Sequence, residues 1–272
     1  MNTYTEERLK QIAREGYSLH FNEIWNNGFT IWKKVTAPVL GALLLLGIPV
    51  AFVYIGLTPW IYGVPADQFV DLVLKHPKEF EQLANSQDVK LKMTAISFVI
   101  SLFFAPIAPG IMKMCYETDR HGNTQFGHIF SYYRPRYYAK ILVVSLVTFV
   151  LVSLPSAFIP AEQPLMLYGY YVYAIIASVL VIFAVPLIIF ADASPFRALG
   201  VSIKLAAINF FPILGFLFIG GFFALLGFFA CCIGLLFSIT YVYVVNYLAY
   251  KQAIGFEGDP EEEEPATPIE GF

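Results

Sequence analysis

The stretch from Phe21 to Leu46, FNEIWNNGFTIWKKVTAPVLGALLLL, decides the fold. Its first half sets Phe21, Ile24, Trp25, Phe29 and Trp32 at helical spacing, an apolar stripe that ends at the cations Lys33 and Lys34. Such a helix lies in the headgroup plane of a bilayer, with its rings in the acyl boundary and its cations beside lipid phosphates. The second half opens an uncharged apolar run, Val35 to Leu57, long enough to cross the hydrocarbon, which takes roughly 20 residues. The stretch therefore predicts a surface helix followed by a membrane span.

Two later stretches repeat the pattern. FGHIFSYYRPRYYAKILVVSLVTFVL begins at Phe126 and FRALGVSIKLAAINFFPILGFLFI at Phe196. Each copy opens on Phe, has an apolar residue three positions on (Ile24, Ile129, Leu199) and carries a cation two to three turns later (Lys33, Arg134, Lys204) before running into a span. In the middle copy Pro135, and the restriction it places on Arg134, predict a bend or break. In the third, Ser194 as N-cap and Pro195 at the first helical position mark a clear start.

The middle copy contains FSYYRPRYYAK, residues 130 to 140, where Arg134, Arg136 and Lys140 stand among four tyrosines. That mixture also suits a nucleic-acid platform, where bases stack beside phosphate-binding cations. Membership of the repeat explains it without a folded binding module, because tyrosine favours the membrane-water boundary and cations accumulate on the cytoplasmic side. Membrane lipids, with other membrane proteins, are thus the expected partners, and nucleic acid is not. The candidate headgroup contacts are Lys33, Lys34, Arg134, Arg136, Lys140, Arg197 and Lys204.

Composition agrees with a bilayer as solvent. Of 272 residues 58% are hydrophobic and 14% charged, against about 45–50% and 25% in soluble domains, and the mean hydropathy is +0.65. The net charge of -3 is small and owes much to an acidic tail, so it argues for no particular anionic partner. Cys115, Cys231 and Cys232 form neither a disulfide framework nor a metal-spaced set. The first apolar run starts near Val35 and exceeds the h-region of a signal peptide, so it reads as a retained span.

Six segments qualify as spans: Val35–Leu57, Met93–Cys115, Ile141–Ile159, Leu165–Ala191, Ala207–Ala230 and Cys232–Tyr250. The last two read as a tight hairpin at Cys231. Every Lys and Arg except Lys75, Lys78, Lys90 and Lys92 falls on one side of this scheme, which places both termini in the cytoplasm. The fold class expected is all-α: a polytopic membrane bundle of about six transmembrane helices, in three repeats of interfacial helix plus transmembrane hairpin, in the cytoplasmic (inner) membrane. Residues 1–256 form one membrane domain, with repeats at about 18–116, 123–191 and 194–256. An external loop, 62–92, carries two short amphipathic helices, the second opening at Pro77. Residues 257–272, rich in Pro and Glu, read as a disordered acidic cytoplasmic tail.

From Ala193, the sequence ASPFRALGVSIKLAAINFFPILGFLFIGGFFALLGFFACCIGLLFSITYVYVVNYLAYKQAIG resembles the C-terminal unit of a group of uncharacterised bacterial six-helix integral membrane proteins. The group is related to the membrane domain attached to some glycerophosphoryl diester phosphodiesterases. The shared features are a Pro-aromatic-x-Ala-Leu surface helix with Ser202, then Asn209, a Gly-rich hairpin around Gly227 to Gly234, and a last helix ending in Leu248, Ala249 and Tyr250. Where members of the group often carry Thr-x-Pro in the last helix, Thr240, Tyr241 and Val242 stand here. The resemblance implies a shared fold and, as the group has no common chemistry, no particular activity.

The remaining polar positions have structural readings and functional ones. Asp192, at the end of the fourth span, is an acid where ionisable groups are costly and often functional, yet it also precedes a helix start that favours a carboxylate. Asn209 and Asn246 suit interhelical hydrogen bonds or a polar path. With Asp192 they define the alternative reading, a small-solute or lipid transporter. Glu117, Asp119, His121 and His128 are the one acid-histidine group, without a recognised metal spacing. No catalytic, metal or cofactor motif occurs, so the chain reads as non-enzymatic and without a cofactor. Pro106, Pro109 and Pro186 predict kinks in spans two and four.

Overall fold

A computed structural model describes residues 1–160, 163–229 and 233–257; side chains at 220, 221, 223–236 and 239 are not among those described. The Cys231 turn, the side chains of the Gly227 to Gly234 hairpin and the tail 258–272 lie outside the described residues. Every regular element described is helical. The helices are α1 (Thr3–Glu15), α2 (Phe21–Tyr62), α3 (Ala66–Lys75), α4 (Pro77–Ala84), α5 (Gln87–Phe104), α6 (Ile107–His121), α7 (Pro135–Thr148), α8 (Pro164–Val181), α9 (Ala184–Ala191), α10 (Pro195–Ile208), α11 (Phe210–Phe229) and α12 (Ile233–Ala253). A 3-10 turn, Phe126–Phe130, precedes α7, and a π turn followed by a 3-10 turn extends α7 to Phe158.

Among the described residues four stretches are long and apolar enough to cross a membrane: Phe21–Tyr62, Gln87–His121, Pro135–Phe158 and Pro164–Ala191. A fifth arises if α10 and Phe210–Ile219, which meet at 93°, count as one. The first four coincide with the first four expected spans. The sharp bend lies at Asn209, where the third repeat is read as passing from surface helix to span. The loop after α2 forms two short helices with Pro77 at the first position of the second, and Tyr62, Phe69 and Phe80 cluster between them.

The first copy differs from its expected form. No break separates its amphipathic part from its span: α2 is one helix of 42 residues, about 63 Å long at 1.5 Å per residue. Its first half runs antiparallel along α12. The backbone N–H of His20 donates to Gln252 Oε1, and Trp32 Nε1 donates to the carbonyl of Phe237. Between them Gly28 lies against Tyr241 and Leu248. Packing along α12 thus keeps the helix continuous past Lys33 and Lys34, where sequence alone suggested a boundary.

Spans two and four are broken where proline requires it. Pro109 and Pro186 are each the third residue of a restarted helix, α6 and α9, where the missing N–H removes no intrahelical bond. The breaks free carbonyls, which in lipid must find other donors. Tyr133 Oη donates to Phe103 O at the first break. At the second, Ser202 Oγ donates to Leu180 O and accepts from Phe183 N, while Asn246 Nδ2 donates to Ile182 O. Ile182 is four residues before Pro186, so its carbonyl is the one that proline deprives of a donor.

The restarted helices form the centre. The sequence of α9, AVPLIIFA, is apolar all round and is buried accordingly. α6 contacts α2, α9 and α12. At the C-terminal ends of α6, α9 and α12 the rings of Tyr116, Phe190, Tyr247, Tyr250 and Phe256 pack together. Outward-facing apolar residues such as Leu44, Phe52, Val99 and Val172 remain exposed, the surface expected of helices solvated by acyl chains.

Candidate functional site

The chemistry-bearing side chains gather around the ends of the central helices. Asp192 closes α9 in the left-handed conformation, with φ 49° and ψ 37°, a backbone state that Asp tolerates better than most residues. Ala193 N completes the cap by donating to Leu187 O. This turn presents the Asp192 carboxylate to α7, where Lys140 Nζ lies 2.6 Å and Arg136 Nη2 2.5 Å from its oxygens. The hydrogen bond from Lys140, then that from Arg136, holds the carboxyl below the usual carboxylate range against partial desolvation. With 42% of its side chain exposed, Asp192 is a boundary residue joined to two cations.

Two more of the candidate cations have partners within the chain. Arg197 Nη2 lies 3.0 Å from Glu6 of α1, and Lys34 Nζ donates to Gly122 O, the cap of α6. The side chains of Lys33, Arg134 and Lys204 are exposed and make no hydrogen bond or ion pair among the described residues. The seven cations therefore divide into four that join elements and three with free donors.

The amides are also engaged. Asn209 Nδ2 donates to Tyr17 O at 2.5 Å, and Tyr17 Oη donates back to Leu205 O at 2.9 Å, fixing the segment after α1 to the bend between α10 and α11. Burial pushes the Tyr17 phenol up to about 12, opposed by Asn209. Asn246 compensates the Pro186 break through Nδ2, while its buried Oδ1 has no hydrogen-bond partner. Asn246 borders a cavity of about 20 Å³ lined otherwise by apolar side chains, among them Ile182, Ile213, Phe216 and Val242, room for one water-sized group.

The acid-histidine group is divided between separate contacts. Glu117 pairs with Lys113 and His121 along α6. Asp119 Oδ2 accepts from Tyr247 Oη and Lys251 Nζ, both at 2.7 Å, joining α6 to α12. His128 Nδ1 is 3.2 Å from Thr124 Oγ1 at the 3-10 turn. Among the described residues no three His, Cys, Asp or Glu converge as metal ligands would.

Sequence reasoning did not anticipate the part played by α1. Asn2 N donates to Ala191 O and Tyr4 Oη to Ile254 O, so α1 lies over the ends of α9 and α12 with Thr5 and Ile12 buried. The signal was present as Asn2 at the N-cap and Leu9 and Ile12 at helical spacing. No family model, curated protein or solved structure matches this chain.

Proposed function

We propose that the chain is a non-enzymatic cytoplasmic-membrane protein whose surface cations hold anionic lipid headgroups, serving envelope organisation or acting as a helper subunit to other membrane proteins. The observation that carries this reading is the division of polar capacity. Asp192, Asn209 and Asp119 are spent on contacts within the protein, whereas Lys33, Arg134 and Lys204 keep their donors free. In a protein dominated by apolar surface, free cations at a membrane boundary find lipid phosphate as their natural counter-charge.

The same reading takes the chain as six crossings in three repeats, with both termini cytoplasmic. Its support is a recurring bond: Tyr133 from the second repeat's leading segment donates to Phe103 O in the first, and Ser202 from the third donates to Leu180 O in the second. Trp32 from the first donates to Phe237 O in the third, completing a cycle. Phe103 and Leu180 both lie six residues before the proline that restarts their helices. The resemblance to the bacterial six-helix group is consistent with this arrangement.

The test is native mass spectrometry of the protein extracted from membranes of mixed composition. Retention of anionic phospholipids above their share of the membrane is expected; equal retention of zwitterionic lipid overturns the reading. The second reading, a transporter using Asp192, Asn209 and Asn246, draws on the unpartnered Asn246 Oδ1 beside its cavity. A solute flux in proteoliposomes that Asn246→Leu abolishes would favour it.

A further inference from the structure

We infer that Lys33, Arg134 and Lys204 are three equivalent contact points for the phosphodiester headgroups of anionic bilayer lipids, one in each repeat, while Lys34, Arg136, Lys140 and Arg197 hold the fold together. This inference rests on the lipid-binding reading and assigns its residues. Two independent observations coincide. In the sequence, each copy carries one of these cations two to three turns after its opening phenylalanine: Lys33 after Phe21, Arg134 after Phe126 and Lys204 after Phe196, the last two at the same spacing. In the structure, the same three, alone among the seven candidates, have no partner among the described residues.

The chemistry separates the two groups. A lipid phosphodiester carries one negative charge and accepts hydrogen bonds from ammonium or guanidinium donors. Lys33, Arg134 and Lys204 can supply those donors without breaking an internal bond. Arg136 and Lys140 already share the Asp192 carboxylate, Arg197 is paired with Glu6, and Lys34 is held on the Gly122 carbonyl, so a phosphate at any of these would compete with a contact inside the protein. The free cations also adjoin apolar surface that acyl chains would cover: Lys204 stands between the exposed Ile203 and Ile208, and Arg134 follows the Tyr133 ring. They belong to separate elements, α2, the turn before α7, and α10, so three separate lipids fit them better than one multivalent soluble anion.

The full chain, reconstituted in phosphatidylcholine bilayers, would be probed with spin-labelled phosphatidylglycerol and spin-labelled phosphatidylcholine, reading the motionally restricted lipid of each kind. Wild type is expected to prefer phosphatidylglycerol, with about a fivefold advantage at each cation. Lys33→Gln, Arg134→Gln and Lys204→Gln should each remove one preferred site, and the triple variant all three, with its melting temperature unchanged. Lys34→Gln with Arg197→Gln should keep the preference and melt earlier. The conservative set Lys33→Arg, Arg134→Lys and Lys204→Arg should retain it, and inorganic phosphate at constant ionic strength should not compete. If wild type shows no preference, the lipid-binding reading itself falls. If wild type shows the preference and the folded triple variant keeps it, the assignment falls while the lipid-binding reading stands.

Discussion

Gly110 offers the most direct test of how the 3-10 turn Phe126–Phe130 sits on the centre of the bundle. It lies in the first turn of α6, and a Cβ placed there would overlap the carbonyl oxygen of Ile129 and lie 2.6 and 2.7 Å from that residue's C and Cα. Carbon atoms rest at about 3.5–4.0 Å, so the gap falls short by roughly 1 Å or more. All three obstacles are backbone, and no rotamer change relieves them. The Gly110→Ala protein must therefore push the 3-10 turn away from α6 and loosen the fully buried Ile129. Overpacking costs about 1–3 kcal/mol, and more where the wall is rigid. Alanine returns about 0.5–1 kcal/mol of helix propensity, leaving a net loss of about 1–2 kcal/mol for an unyielding backbone wall. Gly47 in α2 is the control, since nothing lies within 4 Å of the place an alanine methyl would take there; Gly47→Ala should be neutral or gain about 0.5–1 kcal/mol. Thermal unfolding in detergent, followed by circular dichroism, reads both. Gly110→Ala melting at or above wild type refutes the close seating of the turn on α6.

Ser202→Ala removes two bonds at the α8–α9 break and should cost about 1–2 kcal/mol in the same melting assay, the upper range for hydrogen bonds between membrane helices; an unchanged melt would mean that the break has other donors. Asp192→Asn keeps a residue that tolerates the left-handed turn while deleting the charge, so its loss of about 1 kcal/mol should shrink in high salt, as expected of partly exposed pairs. Because the Asp192 carboxyl is depressed, that stabilisation is whole above the ordinary carboxylate value near 4 and fades as pH falls through the folded value, so the two proteins should converge in acid. Tyr17 titrates oppositely: its neutral phenol is favoured by the fold, so its contribution is whole below about pH 10 and is lost as pH rises toward about 12. Melting of wild type relative to Tyr17→Phe should therefore fall only in that alkaline window, and a constant difference would dissociate Tyr17 ionisation from the docking of α1.

Run length and proline position made the first four spans and the two breaks legible, because both act locally. A bilayer sets the length, and Pro109 and Pro186 set where helices restart. Other features depended on partners far away in sequence. Lys33 and Lys34 read as the end of a surface helix, yet the helix continues because Trp32 and Gly28 pack on residues of α12 about 200 positions later. Arg134 and Arg136 are two residues apart and equivalent by composition. Only the fold brings Asp192, 56 positions on, to one of them and not the other. The amides were read as interhelical bonding groups, but their targets, the Ile182 carbonyl and the Tyr17 carbonyl, required the tertiary arrangement.

The breaks also bear on the choice between scaffold and transporter. A broken membrane helix serves a ligand when its freed carbonyls face a cavity. Here Phe103, Leu180 and Ile182 already accept bonds from Tyr133, Ser202 and Asn246. A solute seeking those carbonyls at the second break would have to displace two side chains held by the packing of α10 and α12, in a space of about 20 Å³. At the ends of the central helices it would meet the rings of Tyr116, Phe190 and Phe256. Meeting both obstacles requires repacking the centre, whereas engaging Lys33, Arg134 or Lys204 requires no internal bond to break. The energetic difference favours the exposed cations over the packed centre as binding groups, and so supports the proposed lipid reading over the transporter.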